Sequence, residues 1–169
     1  MDKTVSTIII GLILVAVLVG MWLSWRGRQR RQAGYGHPIA PPPDPGAELL
    51  AVEGLYLATT AADDPLDRIA VKGLGFRARA RVVVAESGVI LELRGEGDAF
   101  IPRSSLRGAG EATWTIDRTV EPGGLVMIGW RLGEGEGRRV DSYLRVATAA
   151  DQPRLISAVR SLLSEDADA

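Results

Sequence analysis

Residues 76–94 read FRARARVVVAESGVILELR. From Phe76 to Val82 apolar and arginine residues alternate, which puts Arg77, Arg79 and Arg81 on one face of a strand and Phe76, Ala78, Ala80 and Val82 on the other. After Ala85 the chain has Glu86-Ser87 and then Gly88 before a second β-rich run, GVILELR (88–94). Two such runs joined by so short a polar break form a hairpin. A β-hairpin therefore lies at the centre of the chain.

Working outward, the same texture recurs. GLYLATT (54–60) precedes the hairpin, and AFIP (99–102), GEATWTID (110–117), GLVMIGWRL (124–132) and VDSYLRVA (140–147) follow it. Pro122-Gly123-Gly124 and the Gly-Glu alternation of 133–137 mark turns. About seven antiparallel strands, spaced as in a sandwich or barrel, are expected. The last segment changes period. In DQPRLISAVRSLLSE (151–165), Leu155, Ile156, Val159, Leu162 and Leu163 form one apolar stripe of a helix over about 152–164. Asp151 is placed as its N-cap and Pro153 falls in the first turn. The stripe needs a sheet or barrel mouth to cover. Residues 166–169 form an acidic tail expected to fray.

The other end has a different composition. From Thr4 to Trp25 no residue is charged. At 1.5 Å per residue that run crosses a hydrocarbon layer of roughly 30 Å. Trp22 and Trp25 sit at its end, where indole rings favour the headgroup region. A cleaved signal would carry its charge ahead of a shorter apolar core and close on small residues. Here Arg26, Arg28, Arg30 and Arg31 follow the run, and only Lys3 and the terminal amine precede it. The expectation is a permanent single-pass anchor (1–25), with the N-terminus outside and the rest of the chain in the cytoplasm at the cell membrane. The four arginines also favour anionic headgroups. Ala16, Gly20 and Ser24 recur every fourth residue as a small-residue stripe for weak helix pairing. Residues 26–48 are basic, then rich in proline (Pro38, Pro41, Pro42, Pro43, Pro45), and read as a semi-rigid tether ahead of a domain over 49–165.

Little chemistry accompanies this architecture. The chain of 169 residues has no cysteine and one histidine, His37, in the tether. That excludes disulfides and thiol catalysis, and leaves His37 without a partner for metal or base chemistry. The net charge is −1, and the domain from Leu49 onward carries 15 basic and 18 acidic residues, so no nucleic-acid signal arises. Gly73-Leu-Gly75-Phe-Arg-Ala78 matches a dinucleotide pattern but leads into period-two sequence, so it is read as a turn. Asp63, Asp64 and Asp67 surround Pro65 without calcium-loop spacing. Ser104 and Ser105 have no elbow context and no base. Trp114 and Trp130 are expected as core or rim packing, with a partner groove as the minor alternative. The remaining candidates are Lys72, Arg77, Arg79 and Arg81, a basic set suited to an anionic ligand unless carboxylates such as Glu92 neutralise it.

Strands closed by one C-terminal helix have the order of a pleckstrin-homology-like barrel. The stretches EGLYLATTAADDPLDRIAVKGLGFRARARVVV, FIPRSSLRGAGEATWTIDRTVEPGGLVMIGWRL and VDSYLRV resemble those of an actinobacterial family of small single-pass membrane proteins with a bacterial PH-like domain. Members are often labelled loosely as transporters or export proteins, and they tend to be encoded among pyrimidine-biosynthesis genes. The transporter label does not suit a chain with one span, because alternating access needs several. The resemblance implies a PH-like fold, a membrane location, no assigned catalytic residue and no cofactor. The expected function is a membrane-anchored cytoplasmic binding or scaffold module, not an enzyme, that recruits a protein partner at the inner membrane face. The alternative is an anionic-lipid-binding or sensing domain using the basic strand face.

Overall fold

The computed structural model describes the backbone of residues 3–32, 36–112, 114–115, 118–119, 124–133 and 137–164, and their side chains except at 3–7, 25, 28–32, 114–115 and 118–119. The elements in chain order are α1 (Lys3–Gln32), β1 (Glu48–Ala61), β2 (Asp64–Arg68), β3 (Ala78–Ala85), β4 (Gly88–Leu93), β5 (Gly97–Pro102), a 3-10 turn (Arg103–Ser105), β6 (Leu106–Ala112), β7 (Trp114–Thr115), β8 (Arg118–Thr119), β9 (Leu125–Leu132), β10 (Arg138–Val146) and α2 (Asp151–Ser164). Two units result, residues 1–34 and 35–169.

The first unit is α1. Apolar side chains point outward all round it, from Ile8 to Leu23, each about half exposed. Arg26 stacks over Trp22, 5.3 Å from the ring centroid. Ala16, Gly20 and Ser24 are exposed one turn apart, and a Cβ added at Gly20 would touch nothing. Among the described residues no helix is long and apolar enough to cross a membrane. The apolar side chains described reach from Ile8 to Ser24, about 26 Å of helix, short of a roughly 30 Å core. The backbone at the ends of the expected span, 4–7 and Trp25, is helical, but the side chains there and those of Arg28, Arg30 and Arg31 are outside what the structure describes.

The second unit holds an antiparallel sheet of eight strands, a separate two-stranded ribbon of β7 and β8, and α2. Seven of the eight follow the order β5-β4-β3-β1-β10-β9-β6, and the short β2 pairs with β1. β1 organises it. Its first part pairs with β3 (Glu48↔Ala85 to Tyr56↔Ala78) and its second part with β10 (Gly54↔Val146 to Ala61↔Val140). At Gly54 both neighbours are present, and a Cβ there would lie 2.5 Å from the Arg145 carbonyl oxygen. Only glycine lets the strand pass from one half of the sheet to the other at that point. The expected hairpin is β3–β4, with Ala85 opposite Gly88.

One core fills the inside. Val52, Tyr56, Val82, Val84, Val89, Leu91, Ile101, Ile128, Trp130 and Leu144 come from the strands, and α2 adds Leu155, Ile156, Val159 and Leu162, with Leu163 packed alongside. The predicted helical stripe thus covers the open mouth of the barrel, and burial of such side chains is the main stabilising term. Asp151 departs from its expected role. It lies inside α2, and its carboxylate accepts the Thr148 hydroxyl (2.6 Å) and pairs with Arg154 (2.9 Å). It does this instead of capping a backbone N–H.

The tether expected over 26–48 is divided. Helix α1 continues to Gln32, and residues 36–47 form a strap along the domain. Prolines donate nothing, so the strap offers carbonyls. Ile39 O accepts Phe100 N–H (2.8 Å), Pro45 O accepts Ser87 N–H (3.1 Å) and Ala47 O accepts Glu86 N–H (3.2 Å). His37 sits in this strap, exposed. The strap covers the outer edge of β5, an edge that would otherwise stay open.

Candidate binding surface

Four basic residues were expected to act together, and the structure separates them. Arg81 lies opposite Glu92 on β4, binds its Oε1 at 3.0 Å, and reaches Glu48 Oε2 at 3.2 Å. Burial alone would lower its pKa, but the Glu92 and Glu48 carboxylates raise it, so the guanidinium stays charged and committed to tying β1, β3 and β4 together. Arg81 is therefore withdrawn from the ligand set, because its charge is already neutralised. Lys72, Arg77 and Arg79 are exposed and make no ion pair among the described residues. Only Arg79 shares β3 with Arg81; Arg77 precedes the strand. The alternation therefore begins later than the sequence suggested, and Phe76 is 70% exposed instead of facing the core.

Lys72, Phe76 and Arg77 sit on the connection between β2 and β3, which is held from beneath. Residues 72–76 form turns and bends leading into strand, not helix, as read for the Gly73–Gly75 stretch. Gly73 has φ +90°, a conformation that glycine adopts without strain. Arg68 donates to Gly75 O (3.1 Å) and Leu57 O (3.3 Å). Below it runs a chain of buried hydroxyls. Trp130 Nε1 donates to Ser142 Oγ (2.9 Å), Ser142 and Thr59 share a bond (2.7 Å), Thr59 and Tyr56 share another (2.8 Å), and the Tyr56 hydroxyl donates to Leu74 O (3.0 Å). An indole N–H only donates and a carbonyl only accepts, so every proton in the chain has one direction, from Trp130 toward Leu74. Desolvation pushes the Tyr56 pKa up to about 12, with the Thr59 hydrogen bond and Arg68 opposing.

Of the three acidic residues around Pro65, two have structural duties and Asp63 is exposed. Asp64 Oδ1 accepts Leu66 N–H (3.0 Å), and Asp67 pairs with Arg138 (3.4 Å). No group of three or more potential metal ligands occurs among the described residues. Ser104 and Ser105 lie in the 3-10 turn. Trp130 is core, and the Trp114 side chain lies outside the described residues.

Two surface features escaped the sequence reading. Leu66, on β2 just ahead of the basic connection in the chain, is 71% exposed. A shallow, open groove of about 530 Å³ lies between the start of β1 and α2, lined by Leu49, Leu50, Pro153, Arg154, Ser157, Ala158 and Ser161. Its only sequence signal was Leu49, an apolar residue that the stripe of α2 does not need. On the outer sheet face, Asp141 crowds Gly129, where a Cβ would lie 3.2 Å from Oδ1. Burial raises the Asp141 pKa. Its folded-state stability contribution is thus present below the ordinary carboxylate range and lost as pH rises through the raised value. Asp141→Asn is expected to raise the melting temperature at pH 7, with the gain vanishing near pH 3; thermal melts at both values check this.

Residues 35–160 match the family described as Bacterial PH domain-like. No curated protein matches the sequence. Among solved structures, a chain from one titled "The 8S snRNP Assembly Intermediate" is similar, with 12% identity and a TM-score of 0.49, over 76% of this chain and 89% of that one.

Proposed function

The chain belongs to the Bacterial PH domain-like family, and on that premise we propose that it is a membrane-anchored module that recruits or organises a protein partner at the cytoplasmic face of the cell membrane. A PH-like domain is a binding or scaffold module. The observation that carries the reading is where binding has room to occur. The barrel interior is occupied by the chain's own Trp130, Tyr56, Leu91 and Ile101, while a shallow groove lined by apolar Leu49, Leu50, Pro153 and Ala158 together with Arg154, Ser157 and Ser161 lies open on the surface between β1 and α2. Grooves of that composition suit an extended or helical segment of another protein. The membrane part of the proposal rests on α1. Its apolar side chains face outward on every side, which is costly in water and favourable in lipid, and arginines follow them. In the sequence the uncharged residues 4–7 and Trp25 lengthen this run to the 22 positions from Thr4 to Trp25.

The test is a pull-down from membranes with the intact chain beside a variant lacking residues 49–169. A protein retained only by the intact chain is expected. Leu49→Glu, a change at a half-exposed position, should reduce its recovery at least about fivefold while leaving the fold intact. Recovery equal to that of the anchor-only control contradicts the proposal.

A second reading is favoured by one observation, the exposed Lys72, Arg77 and Arg79, without ion pairs among the described residues, around an exposed Phe76. Such a surface attracts anionic headgroups, each base contributing on the order of 1 kcal/mol. Arg79→Glu should weaken flotation of the domain with anionic vesicles roughly tenfold at low salt, where such contacts are strongest. Unchanged flotation removes this reading.

A further inference from the structure

The strap of residues 36–47 is bonded to the sheet at its two ends, and none of its residues is buried. Near its start Ile39 O accepts the Phe100 N–H at the edge of β5 (2.8 Å), and near its end Pro45 O accepts the Ser87 N–H in the β3–β4 turn (3.1 Å). Both donors are aimed at the strap. Ile101, the next residue of β5 and the partner of Val89, directs its N–H the other way, to β4, as neighbours in an antiparallel strand do. Two amides of the domain therefore depend on the strap, and the one beside Phe100 does not.

Glycine specifies the path of the strap. Gly36 has φ +75°, and a Cβ there would lie 2.9 Å from Gly133 Cα. Gly46 has φ +81°, and its N–H donates to Asp44 Oδ1 at 3.1 Å, a tight turn just ahead of β1. Between the two glycines stand Pro38, Pro41, Pro42, Pro43 and Pro45. Proline fixes φ in a free chain as in a bound one, so this segment gains little backbone freedom on release and loses little on docking. The strap is selective in where it lies, yet it is held by a few backbone bonds and half-buried proline rings, not by side chains in the core. Phe100, its first contact, ends a row of outward-facing apolar side chains. Val83, Ile90 and Phe100 stand opposite one another across β3, β4 and β5 and form a cluster apart from the main core.

We propose that residues 36–45 are a releasable latch. In one state they are docked on β5 and the β3–β4 turn; in the other they swing away as one unit about Gly46, with the barrel intact in both. Release uncovers the β5 edge at Phe100 and frees about 31 Å of extended chain ahead of β1, at about 3.1 Å per residue. With an anchor upstream, the latch then sets how far the domain can stand from the bilayer, a consequence that rests on the membrane reading above. The latch itself needs no anchor and no partner, so its failure and the failure of that reading are separate results.

The experiment is amide hydrogen exchange of the full chain in detergent micelles, read residue by residue. Phe100 and Ser87 should have protection factors within about threefold of each other and at least about tenfold below that of Ile101, because a local opening exchanges them together while the sheet stays closed. Gly36→Ala is strained only in the docked state, so it should lower the protection of both about tenfold and leave Ile101 unchanged. Phe100 and Ser87 as protected as Ile101 would mean that the strap leaves only when the sheet unfolds, which overturns the proposal. So would the absence of protection at both, since the strap would then not dock. Unequal protection of the two, or a Gly36→Ala effect confined to Phe100, would mean fraying from one end and overturns it as well. Where Gly36→Ala lowers the protection of Ile101 too, the ratio in the unsubstituted chain alone decides.

Discussion

Gly88→Ala is expected to destabilise the domain by about 3–5 kcal/mol, enough to unfold a large fraction of a typical domain at 37 °C. Two causes add. Gly88 has φ +150°, outside what an L side chain adopts without strain, and a Cβ there would lie 2.2 Å from Ile101 O and 2.9 Å from Arg103 N. Both obstacles are backbone, so neither can rotate away. They belong to the β5 strand and the 3-10 turn, which pack over the β3–β4 hairpin turn; Arg103 N–H donates to Ser87 O at 2.8 Å. Gly95→Ala is the matched control. It has φ +90° but nothing within 4 Å of the added Cβ, so it should cost only about 1 kcal/mol. Urea midpoints of both variants measure the difference. Equal, small losses would mean that the hairpin turn does not pack as described.

The hydroxyl chain is the second large effect. Ser142→Ala leaves the buried Trp130 N–H without an acceptor, and Thr59→Val leaves the Ser142 hydroxyl without one; each should cost about 1–3 kcal/mol. Because the two substitutions break one chain, the double variant should cost less than the sum. The chain also has a pH signature. Tyr56 has its pKa raised above the ordinary value of 10.0 to about 12. A raised folded-state value means that the folded protein holds its proton while the unfolded chain releases it. The stabilisation is whole below pH 10 and declines by about 1.4 kcal/mol per pH unit between pH 10 and about 12. Tyr56→Phe should flatten that decline. Unfolding curves at pH 9, 10.5 and 11.5 decide it, and an equal slope in both proteins would contradict the buried position of the hydroxyl.

The parts legible in the sequence are those decided by neighbours in the chain. The β3–β4 hairpin follows from alternation and a short polar break, and α2 follows from the stripe through Leu155, Val159 and Leu162. The parts that were not legible depend on distant partners. β1 begins at Glu48, ahead of any alternation, because β3 supplies the pairing. Residues 36–47 look like a free tether by composition, yet their carbonyls meet N–H groups of the β3–β4 turn and β5, far away in sequence. Of the basic candidates, Arg81 was lost to Glu92 and Glu48, the second of which lies 33 residues away. The three hydroxyls of the buried chain were visible only as isolated polar groups among apolar residues, since Tyr56, Thr59 and Ser142 gain meaning when β1 and β10 pair, Thr59 opposite Ser142.

Everything proposed about recruitment depends on the domain standing in the cytoplasm behind a membrane helix. The chain has no cysteine, so a single introduced one reports its own location. Ser104 is exposed on the domain, and Asp2 precedes the helix. Labelling with a membrane-impermeant maleimide in intact cells should mark Asp2→Cys and spare Ser104→Cys until the membrane is opened. Labelling of Ser104→Cys in intact cells, or recovery of the chain in the aqueous fraction after alkaline carbonate, would contradict the account.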